Sequence, residues 1–268
     1  MVRYWLAEAP AKETRVELEF QDAEGKLLRR FDRKDLLPKD SKDSRDEQRY
    51  VLEPKAGLNL FAWPLATEGA RRLTGTAMWN GNLSGPRVPP GEYRVVLRVG
   101  DVEQRMPCEV RIDPRATASL DEHRAQFAFL REIVDRLDAI HAALLEARRV
   151  RGALRAVAGK LPESVAGEEL KTACEATCAR IDELEKQLCQ PLGKSAQDPL
   201  NFPIGLNDKL AALNAASGGF GPTAQDVLVR DELLARIQEP LAALERLLAD
   251  DVPALESKAR EVGAPVIR

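Results

Sequence analysis

Four cysteines and two histidines bound the metal and thiol chemistry open to this chain of 268 residues. Cys174 and Cys178 stand four apart, the spacing of one helical face, and Cys189 follows eleven residues later near the same face. A structural zinc site needs a fourth ligand and usually paired Cys-x-x-Cys spacings. His123 and His141 fall on a different predicted helix, so the three thiols read as small buried apolar side chains. Cys108 falls in a predicted strand and reads as packing. No metal and no other cofactor is expected. His141 lies on an apolar helical stripe, with no Ser or Cys nucleophile and acid partner to complete a triad. It reads as a hydrogen-bonded core or boundary residue.

Aromatic side chains offer a second kind of chemistry. Trp63, Trp79 and Tyr93, with Tyr4, could present a platform on which a sugar ring stacks. The same residues at alternating strand positions read first as the sandwich core, with the platform as the alternative. Among 43 Asp and Glu residues no glycosidase pair can be selected, because that chemistry is defined by the separation of two carboxylates. Gly218-Gly219-Phe220-Gly221 is not a phosphate loop, since no strand, Lys or Ser/Thr accompanies it in the required order. No catalytic residue is assigned.

The elements that must position these residues change character near Pro114. The first 113 residues hold 9 of the 13 aromatics and all three tryptophans. Tyr4-Trp5-Leu6 opens a first strand. Arg15–Gln21 alternates with period two, and Ala23–Lys26 turns the chain into Leu27–Phe31. Arg33 to Gln48 is charged and poor in apolar residues, which predicts an exposed loop or insertion. Gly57–Trp63 alternates again. Asn80-Gly81 is turn-competent, and Pro89-Pro90-Gly91 directs the chain into a strand. In that strand Tyr93, Val95, Leu97 and Val99 oppose Arg94 and Arg98, with Val96 the apolar exception. Val102–Ile112 gives the last strand before Asp113-Pro114. About seven short strands with turns between them predict an immunoglobulin- or fibronectin-like β-sandwich over residues 1–113.

Residues 114–268 read as a helical bundle. Ser119 and Glu122 form a capping box, and no proline or turn cluster follows until about Lys160. Leu130, Val134, Leu137, His141 and Leu144 make one stripe of a rod of about 60 Å, with Gly152 and Gly159 able to fray its end. A second helix carries Leu170, Cys174, Thr177, Ile181, Leu184 and Leu188. A short helix is predicted over Leu206–Ala216, and a last one begins near Thr223 with Leu234, Ile237, Leu241, Leu244 and Leu248. Pro240 predicts a kink there. Three long amphipathic helices bury their stripes most economically as an antiparallel three-helix bundle with a long first helix. The first helix outruns a second helix of about 33 Å, which makes a homodimer through the helical domain one option.

Charge excludes a phosphate-binding surface. Residues 1–113 carry 20 Lys/Arg against 19 Asp/Glu, and residues 114–268 carry 20 against 24. Neither half has the basic excess that nucleic acid demands. No apolar run approaches the roughly 20 residues of a membrane span. Met1–Pro10 lacks a long apolar segment, so no secretory signal is visible and the compartment stays open.

Two sets of residues resemble a known family. Gly57-Leu-Asn-Leu-Phe-Ala-Trp63, then Gly85-Pro-Arg-Val-Pro-Pro-Gly-Glu-Tyr-Arg-Val-Val-Leu97, then Asp113-Pro-Arg115 are similar to the C-terminal region of bacterial sortilin-like β-propeller proteins, often labelled BNR-repeat or glycosyl-hydrolase-like. Asn201–Leu213 and Gly221-Pro-Thr-Ala-Gln225 extend the likeness through the helical half, from about Tyr4 onward. In that family a propeller precedes these domains and is credited with the sugar or peptide chemistry, and members are often exported. This chain has no repeat of about 40–50 residues and no Ser-x-Asp-x-Gly-x-Thr-Trp box, so no blade is visible. The resemblance therefore implies a non-catalytic accessory or interaction segment. Its partner would be an N-terminal β-propeller of the same protein or a separately encoded one, and any hydrolase activity would belong to that propeller. A carbohydrate-binding module using Trp63, Trp79 and Tyr93, and a glycosidase-related enzyme, are the alternatives.

Overall fold

One strand that is buried on both faces organises the first half of the chain. β2 (Val16–Gln21) buries Val16, Leu18 and Phe20 on one side and Glu17 and Glu19 on the other. It lies inside an antiparallel sheet of order β3-β2-β5-β6, with β3 at Leu27–Asp32, β5 at Gly91–Val99 and β6 at Val102–Val110. β1 (Val2–Leu6) and β4 (Gly57–Phe61) form a separate antiparallel pair, with Trp5 opposite Leu58 and Arg3 opposite Leu60. These are coordinates of a computed structural model, which describes residues 1–33, 51–79, 81–195, 197–215 and 220–264. Most of the predicted Arg33–Gln48 loop, and Asn80 of the predicted turn, lie outside the described residues.

Aromatic packing joins the two sheets through a shared core. Phe20 of β2 stacks on Trp63 at 4.2 Å between ring centroids, and Phe31 of β3 meets Phe61 of β4 at 4.7 Å. Val88, Tyr93 and Val95 complete this cluster. The alternation read from β5 holds for Tyr93 and Val95, while Leu97 and Val99 are only partly buried. Val96 is fully buried on the opposite face, the same side as Glu17 and Glu19 by register. The charged face of this sheet is thus not simply solvated. Glu17 is held by Arg15 at 2.5 Å, Glu19 by Arg30 at 2.8 Å and by Arg98 at 3.5 Å.

The helices begin where local chemistry satisfies their free amides. At the start of α1 (Leu120–Ala158) the Glu122 carboxylate accepts from the Ser119 amide and hydroxyl, and Ser119 Oγ accepts from the Glu122 amide. Those bonds hold the Glu122 carboxyl below its ordinary range. Leu130, Val134, Leu137, His141 and Leu144 are all buried, as their spacing predicts. Gly152 lies inside α1, and Gly159 follows its end. Ser164 caps α2 (Val165–Leu188) by accepting from Gly167 at 3.1 Å. A short 3-10 turn at Asp198–Leu200 leads to α3 (Leu206–Ala215), and Thr223 with Asp226 makes the capping box of α4 (Ala224–Arg246).

Pro240 is buried within α4, which continues past it to Arg246. The departure from α geometry comes later, as a π turn at Leu247–Asp251 leading into α5 (Val252–Glu261). There the Val252 amide bonds the carbonyl of Leu247, five residues back. Pro253 explains the place: its ring crowds the carbonyl four residues earlier and has no amide to offer, so the ladder widens just before it. α2 packs against α3, α4 and α5. Among the described residues no helix is long and apolar enough to cross a membrane.

The chain divides into two compact units, and the division is interleaved. The first is Met1–Glu68, Ser84–Ala128 and Gly219–Gly221; the second is Gly69–Leu83, Phe129–Gly218 and Pro222–Arg268. A simple cut at 113/114 therefore places two stretches differently. Residues 114–128 belong with the strands, and Gly69–Leu83, which the sequence assigns to the strand half, belongs with the helices. At the foot of that excursion the legs are paired within the first unit, the Thr67 amide bonding Pro86 O at 3.0 Å and the Val88 amide bonding Leu65 O at 2.7 Å. Gly85 is required there, since a Cβ would lie 2.2 Å from the Thr67 carbonyl oxygen.

Candidate functional site

The densest set of buried polar side chains in the helical unit gathers around Gly69–Leu83, which lies on the helices as a strap. Ala70 and Leu73 enter the helical core, and the rest of the strap is held through its backbone. The Ala70 amide bonds Leu83 O at 2.8 Å, closing the strap on itself. Asp138 of α1 accepts from the Arg71 amide and takes its guanidinium in a two-pronged pair, with all three contacts at 2.8 Å. This arrangement holds the Asp138 carboxyl below its ordinary range, the guanidinium bond being the largest cause. Arg148 donates to the Thr74 carbonyl and to Thr76 Oγ1. The Ala77 amide reaches Gly193 O at 2.9 Å, and the Trp79 amide reaches the Asp208 carboxylate of α3 at 2.6 Å. Asn82 and Asn214 exchange amide-to-carbonyl bonds at 3.2 and 3.0 Å.

Two buried side chains complete the arrangement. His141 has no exposed surface; its Nδ1 lies 2.6 Å from the Arg71 carbonyl oxygen and its Nε2 lies 3.0 Å from Asn207 Nδ2. Burial pushes its pKa down, against the smaller opposing effects of the Arg71 bond and the Asp138 charge. Glu185 of α2 is 2% exposed and binds Arg148 at 2.6 Å and Arg151 at 2.6 Å. Arg151 also pairs with Asp182. Next to the strap, Thr76–Trp79, Gln190, Asn207 and Asp208 line a small cavity of about 20 Å³, room for roughly one water and no substrate. The geometry anchors a peptide segment. It does not set a nucleophile, an acid and an open pocket together.

The residues singled out from the sequence fall in different places. Trp63 and Tyr93 are core: 7% and 9% exposed, they meet edge to face at 5.9 Å, and Phe20 covers a face of Trp63. The Trp63 indole donates to Ala66 O and the Tyr93 hydroxyl to Pro89 O. Burial first, then the charge of Asp22, pushes the Tyr93 pKa up to about 12. Trp79 is 60% exposed and lies in the strap, in the other unit. Trp79 is therefore not the core residue that the sequence suggests, and Trp63 and Tyr93 present no open face to a sugar ring. Tyr4 is half-buried, whereas its neighbour Trp5, which the sequence reading passed over, is 71% exposed.

Cys174, Cys178 and Cys189 are free and buried, and Cys108 is free and partly buried. Burial pushes the Cys189 thiol up to about 12, with the Glu185 charge adding to it. Burial likewise raises Cys174 and Cys178. Thiols so placed are poor nucleophiles and poor metal ligands at neutral pH. Among the described residues no group of three or more His, Cys, Asp and Glu side chains could hold a metal ion. Sequence spacing could not have found the contacts of the strap with the helices, whose partners lie 67 to 132 positions apart. No protein-family model, curated protein or solved structure matches this chain.

Proposed function

We propose that this chain is a non-catalytic accessory segment that works by docking. In this reading an Ig-like β-sandwich and an antiparallel helical bundle with a long first helix serve a larger, sortilin-like β-propeller protein, or associate with a second copy. The observation that carries it is the outer face of the β1–β4 pair. Trp5, Leu58 and Leu60 stand there 71%, 53% and 59% exposed, on adjacent positions of one sheet face. Contiguous large apolar side chains left in water mark an interaction surface. The buried polar groups support the same reading, because His141, Glu185, Asn207 and Asp208 are engaged in holding the fold. Hydrolase chemistry, where such a protein has any, belongs to the propeller. The carbohydrate-binding alternative is weaker, since only Trp79 of Trp63, Trp79 and Tyr93 stands at the surface.

The test changes only the outward face. Trp5→Glu and Leu60→Glu leave the inward residues of β1 and β4 in place. Where a β-propeller is encoded in the same reading frame or beside it, it is co-expressed with the chain and the complex is titrated. Sedimentation of the chain alone covers the second-copy arm. Either variant is expected to weaken the association about tenfold or more, as loss of a central aromatic or aliphatic anchor does. Wild-type chain that neither binds a propeller nor self-associates, or variants that bind as well as wild type, would sink the docking reading.

A further inference from the structure

The His141 ring is engaged on both nitrogens, by the strap at Arg71 and by α3 at Asn207. The Arg71 carbonyl oxygen only accepts, so His141 Nδ1 must carry a proton to bond it. Asn207 Nδ2 only donates, so Nε2 must present a lone pair. A single species meets both demands, the neutral ring protonated on Nδ1. A proton added at Nε2 sets N–H against N–H and creates a cation with no exposure to water.

We propose that His141 is an acid-sensitive latch on the strap, so that protonating its ring breaks the chain from Arg71 through His141 to Asn207 and frees Gly69–Leu83 from the helices. The charged groups around the ring are consistent with this. On α1, Asp138 favours the cation and Arg148 opposes it, and Arg71 of the strap opposes it as well. Asp138 is already committed to the Arg71 guanidinium. Glu185 of α2 is tied to Arg148, and Asp208 of α3 to the Trp79 amide. Burial outweighs these contributions and holds the folded-state pKa below the ordinary value. The sign follows from that. The unfolded or released ring titrates near 6.5, so closure is complete above about that pH. It weakens as pH falls through that value, by up to about tenfold per pH unit until the folded-state pKa is passed.

Hydrogen exchange of the strap amides tests the latch. Arg71, Ala77 and Trp79 donate to Asp138, Gly193 O and Asp208 respectively, and amides in the middle of α2 serve as the internal control. After correction for intrinsic exchange, strap opening is expected to rise about tenfold or more between pH 7.5 and pH 5, with α2 unchanged. Asn207→Asp gives a protonated Nε2 an acceptor and is expected to keep the strap protected at pH 5. His141→Gln removes the titrating group and is expected to flatten the pH profile. Equal wild-type protection at both pH values would overturn the proposal. So would a transition unchanged in His141→Gln, or one centred below about pH 4, where carboxylates titrate. Should His141→Gln fail to fold, the wild-type profile and Asn207→Asp decide between the same outcomes.

Discussion

Glu185 shows how a single residue can hold the helical unit together. It sits four positions after Ile181 on the inward stripe of α2, where a hydrophobic residue would continue the pattern. It is almost fully buried, and both of its oxygens are taken by Arg148 and Arg151, whose side chains are each 19% exposed. Removing one member of a buried ionic group leaves the others charged and uncompensated, at a cost of about 3–5 kcal/mol. Partial exposure of the arginines points to the lower end. Glu185→Ala is therefore expected to lower unfolding free energy by about 3 kcal/mol in urea titration at neutral pH. A loss under about 1 kcal/mol would mean that water already satisfies these groups. The sequence showed His141 as a hydrogen-bonded core residue and the cysteines as packing. It could not show Glu185 as buried, because its partners lie 34 and 37 positions away on another helix.

At the scale of the element, β6 shows an edge strand kept from pairing. Gly100-Asp101 makes a two-residue turn, so Val99 and Val102 close the hairpin as a bonded pair. Counting from there, Arg94 and Pro107 face each other as a non-bonded pair, and the missing amide of Pro107 falls on the open edge. Without that proline the edge would be self-complementary. A second β6 running antiparallel about position 107 sets Glu103 against Arg111 and Arg105 against Glu109. Shifting the centre to 106 sets Glu103 against Glu109, and shifting it to 108 sets Arg105 against Arg111. In the favoured register Met106 meets Cys108 on the other face. The proline ring blocks this pairing at its centre. Pro107→Val is accordingly expected to make a concentration-dependent dimer in sedimentation, weakened by salt, and Arg105→Glu in the same background is expected to restore the monomer. A monomeric Pro107→Val chain at high concentration would show that the proline is not what keeps the edge apart. The alternation that defines β5 was legible because period two is a local signal. The burial of Glu17 and Glu19 was not, since it depends on arginines contributed by β3 and β5.

At the scale of the whole molecule, the composition shift near Pro114 located a real change of structure but not the boundary of the units. The stripes of α1 and α2 were readable from spacing alone, as were the cap at Ser119 and the start of α4 near Thr223. On α4 Ile237 and Leu244 are buried as read, while Leu234, Leu241 and Leu248 are only partly buried and Leu233 and Pro240 take the inner positions. The strap was not readable, because nothing local distinguishes Gly69–Leu83 from a loop between strands; its identity lies in distant partners. That has a consequence for a fragment that starts at Pro114. Residues 114–268 alone would leave Asp138, His141, Arg148, Asp208 and Asn214 without their strap partners, and would uncover the sites filled by Ala70 and Leu73. Each buried group left unpaired costs about 1–3 kcal/mol, against a net stability of only about 5–15 kcal/mol for a domain. The fragment is expected to keep helical circular dichroism yet melt with low cooperativity, and to regain a sharper, higher transition when a peptide of residues 69–83 is added. The Arg71→Ala peptide, which lacks the paired guanidinium, is expected to restore less. A fragment that melts as cooperatively and at the same temperature as the intact chain would show that the strap lies on the helices without supporting them.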